Sequence, residues 1–423
     1  MVYLRFNDFL GVTRRQHQDG DPQKTKLLQN ALANESRFFN LTYIHLEQTA
    51  RIQHIRKLCH EQTGDMFGLS SDKWAYSRIE IDREYNYLFC PLLKAGSTFF
   101  RRVFYSLKEH HSVGDPYSIP INKALSAKRN VLEDIVPLSM PSTAAFLNNA
   151  TSILFVREPF SRLLSGYVDK LFAPNPYFWY LVGRHIITGF RANKTSNSER
   201  CGHDVTFAEF VSYVVNGEAT NSSYRDAHFT PSYDQCKPCS LNYTILGKME
   251  SFATDIAYTL TQLGQTVTKE ELSTWARKST SDAVMDSTVS PFSWKTAVKK
   301  CMTWHEALTR IWRKLQIRGI ILFENKFPWS SELTEKFVTV QIFTNMVEQL
   351  HLKSEKEKLH QQKLDALAEA YSSIPASDLE KLVQVFKLDF NLFQYNPYPD
   401  YIFDVNIARS FHNKNRIFDV SEV

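Results

Sequence analysis

Two short stretches put cationic and hydroxyl side chains where an apolar run breaks into a helical pattern, an arrangement suited to holding an anion. In the first, Pro91-Leu92-Leu93-Lys94-Ala95-Gly96-Ser97-Thr98 follows the apolar run Tyr85–Cys90. Pro91 ends the strand, and Phe99 or Phe100, Val103, Phe104 and Leu107 then recur at helical spacing. The N–H groups of Ala95 to Thr98 are therefore expected to point out of a helix start, where unpaired donors and the helix dipole both favour negative charge. Lys94 adds a full charge, Gly96 lets the backbone approach closely, and Ser97 and Thr98 supply hydroxyls.

In the second stretch, Arg157-Glu158-Pro159-Phe160 follows the apolar run Ser152–Val156. Pro159 suits a first helical position, and Leu163, Leu164, Tyr167 and Leu171 make an apolar stripe behind it. Arg157, at the strand end, is placed for two-pronged contact with a phosphate, and Ser165 lies two turns along the helix face nearest to it. Arg101, Arg102, Arg162 and Lys170 read as solvated helix charges, with Arg102 the one best placed to join the ligand set. Two such turns side by side would cradle phosphates. The lysine precedes the glycine and the hydroxyls, the reverse of GxxxxGK[ST], which argues against an ATP or GTP site.

CPLLKAGSTFFRRV resembles the 5′-phosphosulfate loop, and FVREPFSRLLSGYVDKLF the 3′-phosphate motif, of Golgi carbohydrate sulfotransferases related to the chondroitin 4-O and HNK-1 enzymes. Asp226-Ala227-His228-Phe229-Thr230-Pro231, Cys236-Lys237-Pro238-Cys239 and Tyr243 through Glu250 are similar to that family's third block. Phe386 through Tyr395 resembles its closing motif. The resemblance implies 3′-phosphoadenosine 5′-phosphosulfate as co-substrate, a glycan hydroxyl as acceptor and no metal. It assigns the 5′ end of the donor to Lys94 and the Ala95–Thr98 backbone, with Lys94 also neutralising the leaving oxygen, and the 3′-phosphate to Arg157 and Ser165.

A sugar hydroxyl needs a proton acceptor as the new sulfur–oxygen bond forms. His228, inside the third block, is the first candidate, with Glu158 and Glu250 as carboxylate alternatives. The related enzymes often carry another histidine just after an Ile-Pro segment, whereas Ile119-Pro120-Ile121-Asn122-Lys123-Ala124 is followed by Leu125. That departure keeps open a non-catalytic nucleotide- or glycan-binding descendant. A P-loop kinase is the third reading, disfavoured by the reversed motif.

Six cysteines stand at 59, 90, 201, 236, 239 and 301, with a single CxxC. One such pair is half a zinc site, and disulfides are the expected use if the chain is lumenal, their pairing not legible from spacing. N-x-[ST] acceptors occur at Asn34, Asn40, Asn149, Asn193, Asn221 and Asn242, which favours the secretory pathway. No stretch is apolar over the roughly 18 residues a membrane helix needs, and the first residues are no signal peptide. The family's members are type II membrane proteins of the Golgi. Kinship therefore implies a Golgi lumenal domain and membrane association through an anchor that this sequence does not contain.

A net charge of +5 over 423 residues is too mild for a nucleic-acid partner, while 43% hydrophobic residues can bury a substantial core. The strand–helix alternation from Tyr85 to Phe172 predicts a parallel sheet with helices on both faces. The fold expected is thus α/β, a P-loop-like three-layer sandwich with a central parallel sheet and added helical segments. Residues 1–80 read as a stem-like lead-in with a helix around Leu46–Leu58. Residues 81–284 and 366–400 read as the two parts of the catalytic domain, 285–365 as a basic helical insertion, and 401–423 as a tail. In the insertion Trp304, Leu308, Ile311, Trp312 and Leu315 share a helical face, with Arg310, Arg313, Lys314 and Arg318 expected on a solvated one. Tyr177–Arg191, with Arg184, His185 and Arg191, reads as a partly solvated helix or a contact for an acidic sugar.

Overall fold

The computed structural model describes residues 41–63, 73–135, 141–219, 225–404, 406–407, 410 and 417–420. The sequons at Asn34, Asn40 and Asn221, and most of the lead-in and tail, lie outside them. The helix expected around Leu46–Leu58 runs from Leu41 to Thr63 (α1).

Five strands form one sheet: β1 (Glu80–Asp82), β2 (Tyr87–Cys90), β3 (Asn130–Val131), β4 (Thr151–Val156) and β5 (Ile245–Lys248), in the order β3-β1-β2-β4-β5. β2, β4 and β5 are parallel, with Phe89 opposite Ile153 and Phe155 opposite Gly247. This is the expected parallel sheet, and the short β1 and β3 extend it antiparallel on the β2 side. β2 is buried throughout and β4 from its second residue on, the pattern of strands covered on both faces. Each parallel strand then runs into a helix: β2 into α2 (Ser97–His110), β4 into α3 (Pro159–Tyr167) and β5, through a single 3₁₀ turn, into α4 (Phe252–Gln262).

The chain divides into two compact units. The first comprises Met1–Glu158, Pro231–Ser279 and Leu388–Tyr395, and contains the whole sheet. Phe100 of α2 lies 4.4 Å from the Phe155 ring, and Phe252 of α4 lies 5.7 Å from it, so one aromatic cluster seats both helices on β4. Gly247 is required at its position, because a Cβ there would meet the Phe155 ring at 2.3 Å. β5 is an edge strand whose outward backbone groups need partners. α1 provides them: the Gln48 side chain accepts from Leu246 N–H, and Arg51 donates to Leu246 O. Asp255 of α4 holds both of these side chains.

All six cysteines are paired. Cys59–Cys239 and Cys90–Cys236 lie in the first unit and Cys201–Cys301 in the second, so the CxxC cysteines serve two different bridges. Cys90 is the last residue of β2, immediately before the loop that carries Lys94. The Cys90→Ser/Cys236→Ser pair of substitutions is expected to lower stability by about 2–5 kcal/mol. A denaturant titration checks it.

The second unit, Pro159–Thr230, Thr280–Lys387 and Asn396–Val423, is helical among its described residues. Trp304, Leu308, Ile311, Trp312 and Leu315 are fully buried in the helix Trp304–Ile317, as their spacing predicts. The cations beside them are not on a solvated face. Lys314 is 4% exposed and pairs with Asp169 at 2.6 Å, Arg310 donates to His203 O and Glu306, and Arg313 is buried with a bond to Asp419 O. Helical periodicity separates apolar from polar positions and says nothing of a polar position that packs against a second element.

Glu369, also in this unit, accepts from the backbone N–H of Ile417 at 2.6 Å. Burial pushes its carboxyl up to about 7, against the opposing effects of that hydrogen bond and of Arg313. A folded-state value above the unfolded one means that the folded chain binds more protons between about pH 4.5 and 7. The resulting stability is complete below the unfolded value and is lost as pH rises through the folded one. Glu369→Gln should flatten that slope, read as melting temperature against pH from 4.5 to 8 for both proteins.

Candidate functional site

The loop after β2 is shaped by two left-handed residues, Lys94 at φ 68° and Gly96 at φ 83°. Such a conformation is uncommon for a lysine and marks a backbone held in place by its surroundings. Gly96 is the residue before α2, and a Cβ on it would lie 3.4 Å from Met249 Sδ, so the turn also packs against the end of β5. The first intrahelical bond of α2 runs from Phe100 N–H to Gly96 O, which leaves the N–H groups of Ser97 and Thr98 at the helix mouth. Ala95 departs from expectation. Its N–H donates to Leu92 O at 3.2 Å, because the left-handed Lys94 folds the loop into a turn that uses this donor internally.

Arg157, at the end of β4, is 3% exposed and donates from Nη1 to the carbonyl of Lys94 at 3.2 Å. The two cationic corners are therefore in contact, since parallel pairing of β2 with β4 brings their C-terminal ends together. Arg102, two turns into α2, is buried with its guanidinium 5.3 Å from the Tyr117 ring centre rather than solvated. Arg101 is bound to Glu80.

A third corner adjoins them, since Val156 pairs with Lys248 across β4 and β5. Glu250 accepts from the backbone N–H of Glu158 at 3.0 Å and from the Tyr395 hydroxyl at 2.8 Å. Its carboxylate thus ties the β4 corner to the β5 corner, as expected of a structural partner more than of a base. Lys248 sits 4.5 Å from the Tyr395 ring centre, and burial, then the charge of Arg51, lowers its ammonium below the usual lysine range. Sequence reasoning gave Lys248 no role of its own.

His228 and Ser165 belong to the second unit. His228 lies in a tight turn in which Phe229 and Thr230 both donate backbone N–H groups to Asp226 O. Arg162 of α3, fully buried, donates to Thr230 O at 2.7 Å, and Gly166 lets the Phe229 ring lie close against the helix, where a Cβ would meet it at 3.0 Å. The expectation that Arg162 is a solvated charge is thus overturned: it anchors the histidine turn. Ser165, between these two contacts, is half-buried on α3.

Asp226 is the hydrogen-bond partner of His228, a residue that the sequence reading left without a role. One carboxylate oxygen is 2.6 Å from His228 Nδ1 and also accepts the His228 backbone N–H at 2.8 Å. Burial acts to raise the Asp226 carboxyl, but the bonds and charge of His228 outweigh it and hold the carboxyl below its ordinary value. A carboxylate on Nδ1 fixes the tautomer with the proton there and leaves Nε2 able to accept one. The Phe178 ring stands edge-on 5.1 Å from the imidazole. The Asp-x-His spacing was the available signal.

A model described as "Sulfotransferase family" matches residues 77–314. Among curated proteins, the chain is 32% identical to carbohydrate sulfotransferase 11 of Rattus norvegicus over 188 residues, 44% of this chain and 53% of that protein. It is 27% identical to carbohydrate sulfotransferase 8 of Mus musculus over 245 residues, 58% and 56% of the two chains. Carbohydrate sulfotransferase 14 of Danio rerio is also 27% identical over 245 residues, 56% of this chain and 64% of its own length. The chain spans about half the length of the first of these relatives. No solved structure matches.

Proposed function

Since this chain belongs to the sulfotransferase family, we propose that it transfers the sulfuryl group of 3′-phosphoadenosine 5′-phosphosulfate to a hydroxyl of a glycan. The observation that carries this reading is the contact of Arg157 with the Lys94 carbonyl, which joins two cationic strand-to-helix corners at one end of the sheet. Lys94 and the N–H groups of Gly96, Ser97 and Thr98 hold the 5′-phosphosulfate, and Arg157 with Ser165 holds the 3′-phosphate. Arg102 contributes positive charge behind the loop.

The glycan oxygen attacks sulfur, and its proton passes to Nε2 of His228. The bond from sulfur to the bridging oxygen breaks, and the electron pair leaves on the 5′-phosphate, where Lys94 offsets the new charge. Transfer of this kind depends on positioning and charge stabilisation more than on covalent chemistry by the protein. Asp226 steadies the imidazolium as it forms.

The proposed location is the Golgi lumen, with the protein associated with the membrane. Three disulfides suit an oxidising compartment, and the sequons agree with it. Incubation with sulfur-labelled donor and a panel of glycosaminoglycans and glycoprotein glycans tests the reaction. Labelled product with this donor, and no phosphoryl transfer from ATP, is the expected result. Donor binding without label on any glycan would favour the non-catalytic descendant, the reading that Leu125 keeps in play.

A further inference from the structure

The segment Tyr177–Arg184 buries Phe178, Trp179 and Val182, yet leaves Tyr177 64%, Tyr180 62% and Leu181 50% exposed. Large aromatic side chains this open, on a segment otherwise packed into the core, call for a reason. The segment is also unusually shaped. Residues Trp179–Gly183 form a π-helical turn, a geometry that is uncommon and concentrated at functional sites.

The turn is rigid. A Cβ on Gly183 would meet Gly202 O at 2.1 Å, and one on Gly202 would meet Trp179 O at 2.3 Å, so the two glycines clasp backbone to backbone. Gly202 follows Cys201, which is bridged to Cys301. The Arg184 guanidinium lies 4.7 Å from the Tyr180 ring centre, and its Nε donates to Glu199 O. Exposed rings and a fixed cation thus form one stripe, at positions 177, 180, 181 and 184. The stripe starts beside the histidine: Phe178, buried next to Tyr177, has its ring 5.1 Å from that of His228.

We propose that Tyr177, Tyr180 and Arg184 form the subsite that holds an anionic sugar chain, with the ring faces under the sugars and Arg184 pairing with a uronate carboxylate. Sugar C–H bonds carry partial positive charge and suit the electron-rich face of a tyrosine, while a guanidinium matches a carboxylate two-pronged. Lys170, paired with Asp169 at 3.2 Å, lies along the same path, 5.1 Å from the Phe178 ring centre. Arg191, the other cation once open to this role, is committed to Asp204 and Glu209. The inference rests on the glycan-acceptor reading and names the acceptor class within it as uronate-bearing.

The test uses the full chain and fluorescently labelled unsulfated chondroitin hexasaccharide, with a desialylated neutral N-glycan as comparator. Binding is followed by anisotropy and turnover by donor label. Tyr180→Ala and Arg184→Ala should each weaken hexasaccharide binding about tenfold, raise its KM in parallel and leave the donor KM in place. The Arg184 effect should shrink at high salt. Unchanged affinity in both variants, or equal wild-type affinity for the neutral glycan, would overturn the subsite. Variant-sensitive hexasaccharide binding with no labelled product would keep the subsite and remove the sulfotransferase reading instead.

Discussion

Arg157→Ala is expected to lower affinity for adenosine 3′,5′-bisphosphate, the desulfated form of the proposed donor, by about a hundredfold, but to leave binding of adenosine 5′-phosphate nearly unchanged. The asymmetry is the informative part. Charge-assisted bonds to a phosphate are worth about 1.5–3 kcal/mol each, and a guanidinium makes two of them at once. Only a ligand with a 3′-phosphate can lose them. Lys94→Ala should weaken both nucleotides by a similar factor, because its charge is assigned to the 5′ end that they share. Titration calorimetry of the two variants against the two nucleotides gives four affinities. Equal losses on both nucleotides for Arg157→Ala would mean that the residue only supports the Lys94 carbonyl, 3.2 Å away.

The second large effect is on turnover. His228→Ala is expected to reduce kcat by about 10²–10⁴, the usual worth of a positioned base, with donor affinity intact. Asp226→Asn keeps the ring and removes the carboxylate 2.6 Å from Nδ1 that favours the protonated imidazole. Its kcat should fall by about tenfold or more, and the acid limb of the pH–rate profile should move to lower pH. A merely structural Asp226 would change stability without moving that limb. Wild-type kcat in His228→Ala would exclude the imidazole as the proton acceptor.

Why these corners were legible in the sequence is a matter of distance along the chain. Each needs a strand, a turn and a helix start within about 12 residues, and Lys94, Gly96, Ser97 and Arg157 are residue types that such turns favour for anions. The parallel core of the sheet followed from the same alternation. The disulfide pairing was not legible, because Cys59 and Cys239 are 180 residues apart and nothing local selects among the six. Nor were the buried cations: Arg162 and Lys314 look like ordinary helix charges until Thr230 O and Asp169 come to meet them. Ala95 failed for a subtler reason, since the positive φ of Lys94 cannot be read from a lysine.

The segment Leu388–Tyr395 rejoins the first unit from far down the chain. Asp389 accepts the backbone N–H groups of Ser232 and Tyr233, next to the Cys90–Cys236 bridge, and Tyr395 secures Glu250. The corner that carries Lys94 is therefore braced by residues made some three hundred positions later. A ribosome that stops before Leu388 releases a chain with every proposed donor ligand translated and the brace missing. Such a product is left with an unfinished nucleotide grip, so premature termination even this late should act as a null allele.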